Sequence, residues 1–281
     1  MTAQVIAITR PSPGYTRVYL QSDEITCHRF GPADGFKLLL PPSSEFSGST
    51  SSIPMPTPER DATGVPRWSN PAAQPSLRAL TVRHHDRRSG VISTDVMHHE
   101  RGLLASWRTG LHVGDSVTFS GMRAEWYLPA AVRNVLLIAD GSALPAALIE
   151  AIPDDVDVQA YVSAENTEDL SLIPSHPHLA LERVTSLTNL LHRTPRLIRT
   201  GERVQVWIAG ETAEVRELRR HAVEAWHVDL GDLIARAYWK AGVTSTEADA
   251  QRLPRFVQAV SDGADLHDPA LAENIDLELS A

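Results

Sequence analysis

The chain has 281 residues, a formal net charge of −9 (26 Lys and Arg against 35 Asp and Glu) and a single cysteine, Cys27. That length suffices for two domains, each with its own core. The charge argues against nonspecific binding to nucleic acid or an anionic membrane, and one cysteine excludes an intrachain disulfide framework and a thiolate metal or iron–sulfur site.

Residues 1–10 lack the basic-then-apolar pattern of a secretory signal and run into a strand-like segment. No apolar run approaches membrane-spanning length, and nothing repeats at a fixed period. The expectation is a soluble, cytoplasmic protein. Residues 16–20 and 36–40 are rich in β-branched, aromatic or apolar side chains and bounded by Pro and Gly, which predicts strands. Residues 41–75 are dense in Pro, Ser and Thr and predict a long surface loop. Residues 77–84 predict a further strand, in which alternation places Leu80 and Val82 on one face and Thr81 and Arg83 on the other. Arg78 and Arg83 carry planar forks of donors that suit phosphate, although by itself such a strand is more often a solvated edge. A helix over 102–109 and a strand over 113–120, entered through a Gly-Asp turn, complete a pattern that predicts an antiparallel β-barrel.

The pattern changes near Pro129. Residues 132–139 (VRNVLLIA) form a near-continuous apolar run, typical of a parallel strand buried on both faces. Asp140-Gly141-Ser142 follows, then a helix over 144–152, strands over 156–162 and 179–184, a short helix over 187–191 and a buried strand over 203–209. Gly210-Glu211-Thr212 then leads into a helix over 213–226. Strands alternating with helices imply an α/β sheet. Ligands of such sheets sit at the carboxyl ends of the strands near a topological switch point, and residues 140–142 and 210–212 occupy two such ends. The expected organisation is a barrel domain over 1–128, an α/β domain over 129–247 and an acidic tail over 248–281, with a short helix over 253–261. The adjacent pairs His84-His85 and His98-His99 each offer at most one ligand to a single site, so no metal is expected. No G-x-G-x-x-G fingerprint, phosphate-binding P-loop or G-x-S-x-G elbow occurs.

Six blocks, in order across residues 5–245, resemble the siderophore-interacting protein family, which are FAD-dependent ferric-siderophore reductases of the ferredoxin–NADP reductase type. Arg78-Ala79-Leu80-Thr81-Val82-Arg83 is similar to that family's Arg-x-Tyr-Thr-x-Arg, and Phe36-Lys37-Leu38-Leu39-Leu40-Pro41 to its Lys-Leu-x-x-Pro strand. Val96-Met97-His98, Gly102 and Trp107 resemble its Val-Leu-His…Gly-Pro-Ala-Ser-x-Trp loop. Residues 139–146 resemble Gly-Asp-Glu-Thr-Ala-Leu-Pro-Ala, residues 207–211 resemble Trp-Val-Ala-Gly-Glu, and residues 238–242 resemble the terminal Tyr-Trp-Arg/Lys-x-Gly.

The resemblance implies an antiparallel FAD-binding barrel followed by a small parallel-sheet domain for NADPH or NADH. It puts FAD against Arg78, Leu80, Thr81, Arg83, His98, Gly102 and Trp107. The arginines would neutralise the pyrophosphate or fix the flavin end, Thr81 would bond the isoalloxazine edge, and N–H groups near Leu103 would favour anions. Trp107 reads equally as core packing. The nucleotide is implied at Asp140, Ser142, Ala143, Gly210 and Glu211, turns that also serve as helix caps, and Arg183 or Arg193 are candidates beside the ribose. Lys37, Arg108 and Lys240 are the candidate cations for an anionic ferric siderophore, or else ordinary surface charges. The chain departs from the pattern at Leu80 (Tyr in the family), at Ala105 (Ser), at Gly141-Ser142 (Glu-Thr) and at Ser106, where the family has Arg before the Trp and this chain has Arg108 after it. The implied activity is electron transfer from NAD(P)H through FAD to a ferric siderophore, by a monomer that binds neither nucleic acid nor membrane. The alternatives are a redox-inactive siderophore-binding or iron-trafficking protein of the same fold, and a flavin reductase acting on another small molecule.

Overall fold

The computed structural model describes residues 1–31, 33–41, 59–60, 66–67, 70, 74–265 and 269–277. Most of the expected Pro/Ser-rich loop over 41–75 lies outside the described residues. The chain divides into two units, Met1–Tyr127 and Leu128–Ala281.

In the first unit, β1 (Thr2–Ser12) and β2 (Tyr15–Gln21) form a hairpin, followed by the single turn α1 (Asp23–Thr26), which is capped by the Ser22 side chain. Then come β3 (Gly35–Leu40), the two-residue strands β4 (Glu59–Arg60) and β5 (Pro66–Arg67), β6 (Ser76–Thr81), β7 (His84–Asp86), β8 (Val91–Met97), α2 (Leu103–Gly110) and β9 (Ser116–Arg123). Among the described residues the main sheet is antiparallel, in the order β6-β3-β9-β1-β2-β8-β7. Alternation fixes which face is inside: Val18, Leu20, Phe36, Leu38, Leu80, Val117 and Phe119 converge on one core, while Arg17 and Lys37 lie on the outward rows. The Phe36 and Phe119 rings meet at 5.1 Å. Beyond β6, the Arg83 N–H donates to Ser93 O at 2.8 Å. The chain leaving one end of the sheet is thereby joined to β8, and the sheet curls into a barrel that hides its edges.

The second unit contains β10 (Asn134–Asp140), a 3₁₀ turn at Gly141–Ala143, α3 (Ala146–Ala151), β11 (Asp157–Ser163), β12 (Leu179–Arg183), α4 (Arg196–Arg199), β13 (Val204–Glu211), α5 (Thr212–Glu224), β14 (Leu233–Trp239), α6 (Ser245–Ser261) and α7 (Pro269–Leu277). Its sheet is parallel, ordered β12-β11-β10-β13-β14. β10 and β13 are buried at every residue, as their apolar runs require. The strand order reverses between them, so the carboxyl ends of β10 and β13 form the switch point.

The segment expected as an acidic tail holds two helices. α6 begins at a capping box in which Thr244 and Glu247 bond each other's backbone N–H. α7 packs on β14 and α5, with Ile275 and Leu277 buried. Strands β8 and β14 are absent from the expectation drawn from sequence. Among the described residues no helix is long and apolar enough to cross a membrane, and no group of three or more His, Cys, Asp or Glu is placed to hold a metal.

Candidate functional site

In the barrel unit, the sequence-predicted residues gather on β6, on the end of β8 and at the start of α2. Arg78 pairs with Leu38 across the strands, and its Nη1 donates to Leu77 O at 2.7 Å. Leu80 pairs with Phe36 and is 8% exposed, packed into the barrel core. Leu80 is therefore an aliphatic extension of that core. Thr81 closes β6, half-buried. Arg83 lies 3.9 Å from Asp95. That carboxylate already receives Arg17 in a fork, at 2.6 and 2.7 Å, and holds the Arg17 guanidinium above its usual pKa. His98 Nε2 lies 2.8 Å from Thr16 Oγ1, and the His98 N–H donates to Gly14 O at 2.8 Å. Sequence reasoning missed Arg17, Thr16 and Asp95. Arg17 and Asp95 are directly opposed across β2 and β8, a register that becomes visible only once the barrel is formed.

α2 starts at Gly102, whose φ of +107° is a backbone conformation open mainly to glycine. Among the described residues no side chain caps this helix, no acid occupies its first turn, and nothing lies within 4 Å of where a Gly102 Cβ would sit. The first-turn N–H groups thus keep their capacity for an anion. Trp107 points the other way and is 1% exposed in the barrel core. Ser106 is exposed, its Oγ 3.3 Å from Gly102 O, whereas Arg108 is half-buried. Lys37 is partly exposed on the outward row of β3, opposite the exposed Ala79 and Ser120.

In the sheet unit, the predicted residues meet at the switch point. The Asp140 carboxylate accepts the Ser142 N–H (2.8 Å), the Ser142 hydroxyl (2.6 Å) and the Trp239 indole N–H (2.7 Å). Burial pushes its pKa up, and these donors pull it partly back. Glu211 accepts the N–H groups of Ala213 (2.5 Å), Glu214 (3.1 Å) and Ala241 (3.1 Å), which caps α5 and ties down the turn after β14. The Thr212 hydroxyl donates to Trp239 O at 2.8 Å. Ala143 is buried and Ser142 partly so; Lys240 is partly exposed, bridged to Val243. Arg183 donates to Ala164 O at 2.8 and 3.0 Å, and Arg193 lies 4.5 Å over the Tyr161 ring while bonding Glu182 at 2.9 Å. The bond from Trp239 to Asp140 is the contact sequence reasoning missed; the terminal Tyr-Trp block was its signal.

Gly210 has φ +151°, and a Cβ there would lie 2.6 Å from Asp140 Oδ2. Gly210→Ala is therefore expected to cost about 2 kcal/mol through backbone strain and displacement of Asp140. Chemical denaturation checks this, and a loss below about 0.5 kcal/mol, the level of an ordinary surface change, contradicts it.

Two family profiles match the chain. Residues 4–126 match "Siderophore-interacting FAD-binding domain" and residues 132–242 match "Siderophore-interacting protein". A ferric acinetobactin reductase from Acinetobacter baumannii is 25% identical over 208 residues, covering 70% of this chain and 72% of that protein. The fold is similar to that of the siderophore-interacting protein SipS from Aeromonas hydrophila, with TM-score 0.71 at 22% identity over 94% of this chain and 98% of that one. It is also similar to a ferredoxin reductase of carbazole 1,9a-dioxygenase, with TM-score 0.55 at 17% identity over 85% of this chain and 69% of that one. The architecture is thus ferredoxin reductase-like, an antiparallel barrel unit and a five-stranded parallel sheet unit.

Proposed function

Because this chain belongs to the siderophore-interacting protein family and carries that family's FAD-binding domain, we propose that it is a reductase that passes electrons from NADPH or NADH to a ferric siderophore and releases iron as Fe(II). When bound, FAD supplies the exchange between a two-electron hydride and single electrons. The observation that carries this reading is the uncapped start of α2 at Gly102, in the unit that also holds Arg78, Thr81, Arg83 and His98. N–H groups with no competing side chain among the described residues suit the FAD pyrophosphate, and the guanidinium groups of the same unit carry charge of the matching sign. The Thr81 hydroxyl would bond the isoalloxazine edge, while Leu80 is turned into the barrel core and offers the flavin no aromatic face. Lys37, Arg108 and Lys240 would draw in an anionic ferric chelate against the protein's overall negative charge. The relative named ferric acinetobactin reductase supports the same activity class.

Leu80 also favours a second reading, a siderophore-binding protein of the same fold without redox activity, because the aromatic contact and its hydroxyl are both missing. Purified protein separates the two. The reductase is expected to carry or take up FAD, to lose the visible flavin band under NADPH or NADH without oxygen, and to regain it on addition of a ferric siderophore while Fe(II) is trapped by a chelating dye. Protein that stays colourless after incubation with FAD overturns the reductase reading. Flavin that is reduced but not reoxidised by any ferric chelate assigns a different acceptor.

A further inference from the structure

We infer that the outer edge of the parallel sheet, strand β12, is a self-association surface. Two copies of the chain pair their β12 strands antiparallel about a two-fold axis at Leu181, and their five-stranded sheets become one continuous sheet. This is independent of the reductase reading and replaces the monomer that the family resemblance implies.

The two edges of the sheet are treated differently. α7 covers β14, whereas β12 has β11 as its one substantial neighbour among the described elements. Ala180, Leu181, Glu182 and Arg183 are exposed, and Leu181, a large apolar side chain, is 37% exposed. An open strand edge is a template for another strand, and proteins guard such edges with proline, lysine, a bulge or free charge. β12 contains neither proline nor lysine, and it pairs with β11 without a register shift. Its two charged side chains are drawn back onto their own chain. Glu182 takes Arg193 at 2.9 Å, and Arg183 donates to Ala164 O at 2.8 and 3.0 Å.

The hydrogen bonds select the axis. The Val158 N–H donates to His178 O at 3.1 Å, and the Val184 N–H donates to Val162 O at 2.9 Å. Residues 178, 180, 182 and 184 therefore turn their backbone groups to β11, while Leu179, Leu181 and Arg183 turn theirs outward. The Leu179 N–H is already spent on His176 O at 3.2 Å. A two-fold axis at Leu181 makes both central bonds, between the two Leu181 residues. It adds one bond on either side, from the Arg183 N–H to the other copy's Leu179 carbonyl. An axis at Ala180 rests on Leu179 on both sides and loses the bonds that need its N–H. Axes at Glu182 or Arg183 set like charges directly opposite each other. At Leu181 the charges face apolar residues instead: Glu182 opposes Ala180, Arg183 opposes Leu179, and the two Leu181 side chains meet. One short strand per copy is a small interface, so the dimer is expected to be weak, with a Kd on the order of 100 µM.

The test uses the full-length protein in which the exposed Cys27 is removed by Cys27→Ser. Ala180→Cys and Glu182→Cys are made separately in that background, tagged differently and mixed under mild oxidation. Directly opposed side chains have Cβ atoms about 4.5–5.5 Å apart and diagonal ones about 7–8 Å. Residue 180 of one copy thus comes close enough to residue 182 of the other for a disulfide, and neither reaches its own counterpart. The mixture is expected to form linked heterodimer at least about tenfold faster than either variant forms homodimer. Sedimentation velocity gives a second readout. The wild type is expected to shift towards dimer between about 10 and 500 µM. Leu181→Lys, which sets two ammonium groups side by side on the axis, is expected to remain monomeric over that range with an unchanged melting temperature. A mixture that links no faster than its components overturns the pairing at Leu181. A wild type that stays monomeric throughout, or a dimer that survives Leu181→Lys, overturns β12 as the contact.

Discussion

Replacing Trp107 with alanine is expected to destabilise the barrel unit by about 3–5 kcal/mol, with a melting temperature lower by on the order of 10 °C or more. Trp107 is 1% exposed and belongs to the core that also holds Phe36, Leu38, Leu80 and Phe119. Truncation removes most of a large buried side chain and leaves a cavity that barrel strands, tied to neighbours on both sides, cannot collapse to fill. The indole Nε1 has no hydrogen-bond partner among the described residues. Trp107→Phe, which deletes that buried donor together with part of the ring, should therefore cost much less, about 1–2 kcal/mol. The pair also decides between the two roles left open by the sequence. If Trp107 only packs, the phenylalanine variant takes up FAD as the wild type does. A phenylalanine variant that melts normally but no longer retains flavin would place the indole against the cofactor.

The fold was legible in the sequence wherever burial follows one simple rule. β10 and β13 are buried on both faces, and their unbroken apolar runs announce it. β14 is equally buried over its first five residues, but Arg236 interrupts the run, and the carboxylate that makes this tolerable, Glu273, is 37 residues away. β8 was hidden in the same way. Ser93 and Thr94 are buried polar residues, and Asp95 is matched by Arg17 from a strand 78 residues distant. α6 is a different case: Thr244-Ser245-Thr246-Glu247 is a readable capping box, but Pro254 inside the helix breaks its pattern and draws the boundary to 253. At the site, the local half was legible. Asp140 and Glu211 cap the turns that follow them, as their positions suggest. The non-local half was not: the Trp239 indole reaches Asp140 across 99 residues, and it turns a capping residue into the fixing point of an exposed aromatic ring.

The other large effect is expected at Glu273, in the last helix. Its carboxylate lies 2.7 Å from Arg236 Nη1 and 3.2 Å from Arg219 Nε, and it reaches the Ala235 N–H at 3.4 Å. The Arg236 side chain is only 8% exposed. Glu273→Ala takes a carboxylate away from that buried guanidinium, and the expected loss is about 3 kcal/mol. Glu273→Gln keeps an acceptor but no charge and should lose roughly half as much. The penalty comes from a buried charge that loses part of its compensation rather than from the strength of the pair, so removing both charges should undo it. The double variant Arg236→Met, Glu273→Leu is expected to return to within about 1 kcal/mol of the wild type, since apolar side chains of similar volume replace a buried ion pair at little net cost. α7 also covers the outer edge of β14, so amide hydrogen exchange over residues 233–239 should accelerate in Glu273→Ala and recover in the double variant. A Glu273→Ala protein within about 1 kcal/mol of the wild type, with unchanged exchange along β14, would mean that Arg236 finds water or another acceptor and that α7 is held by its apolar face alone, through Ile275 and Leu277.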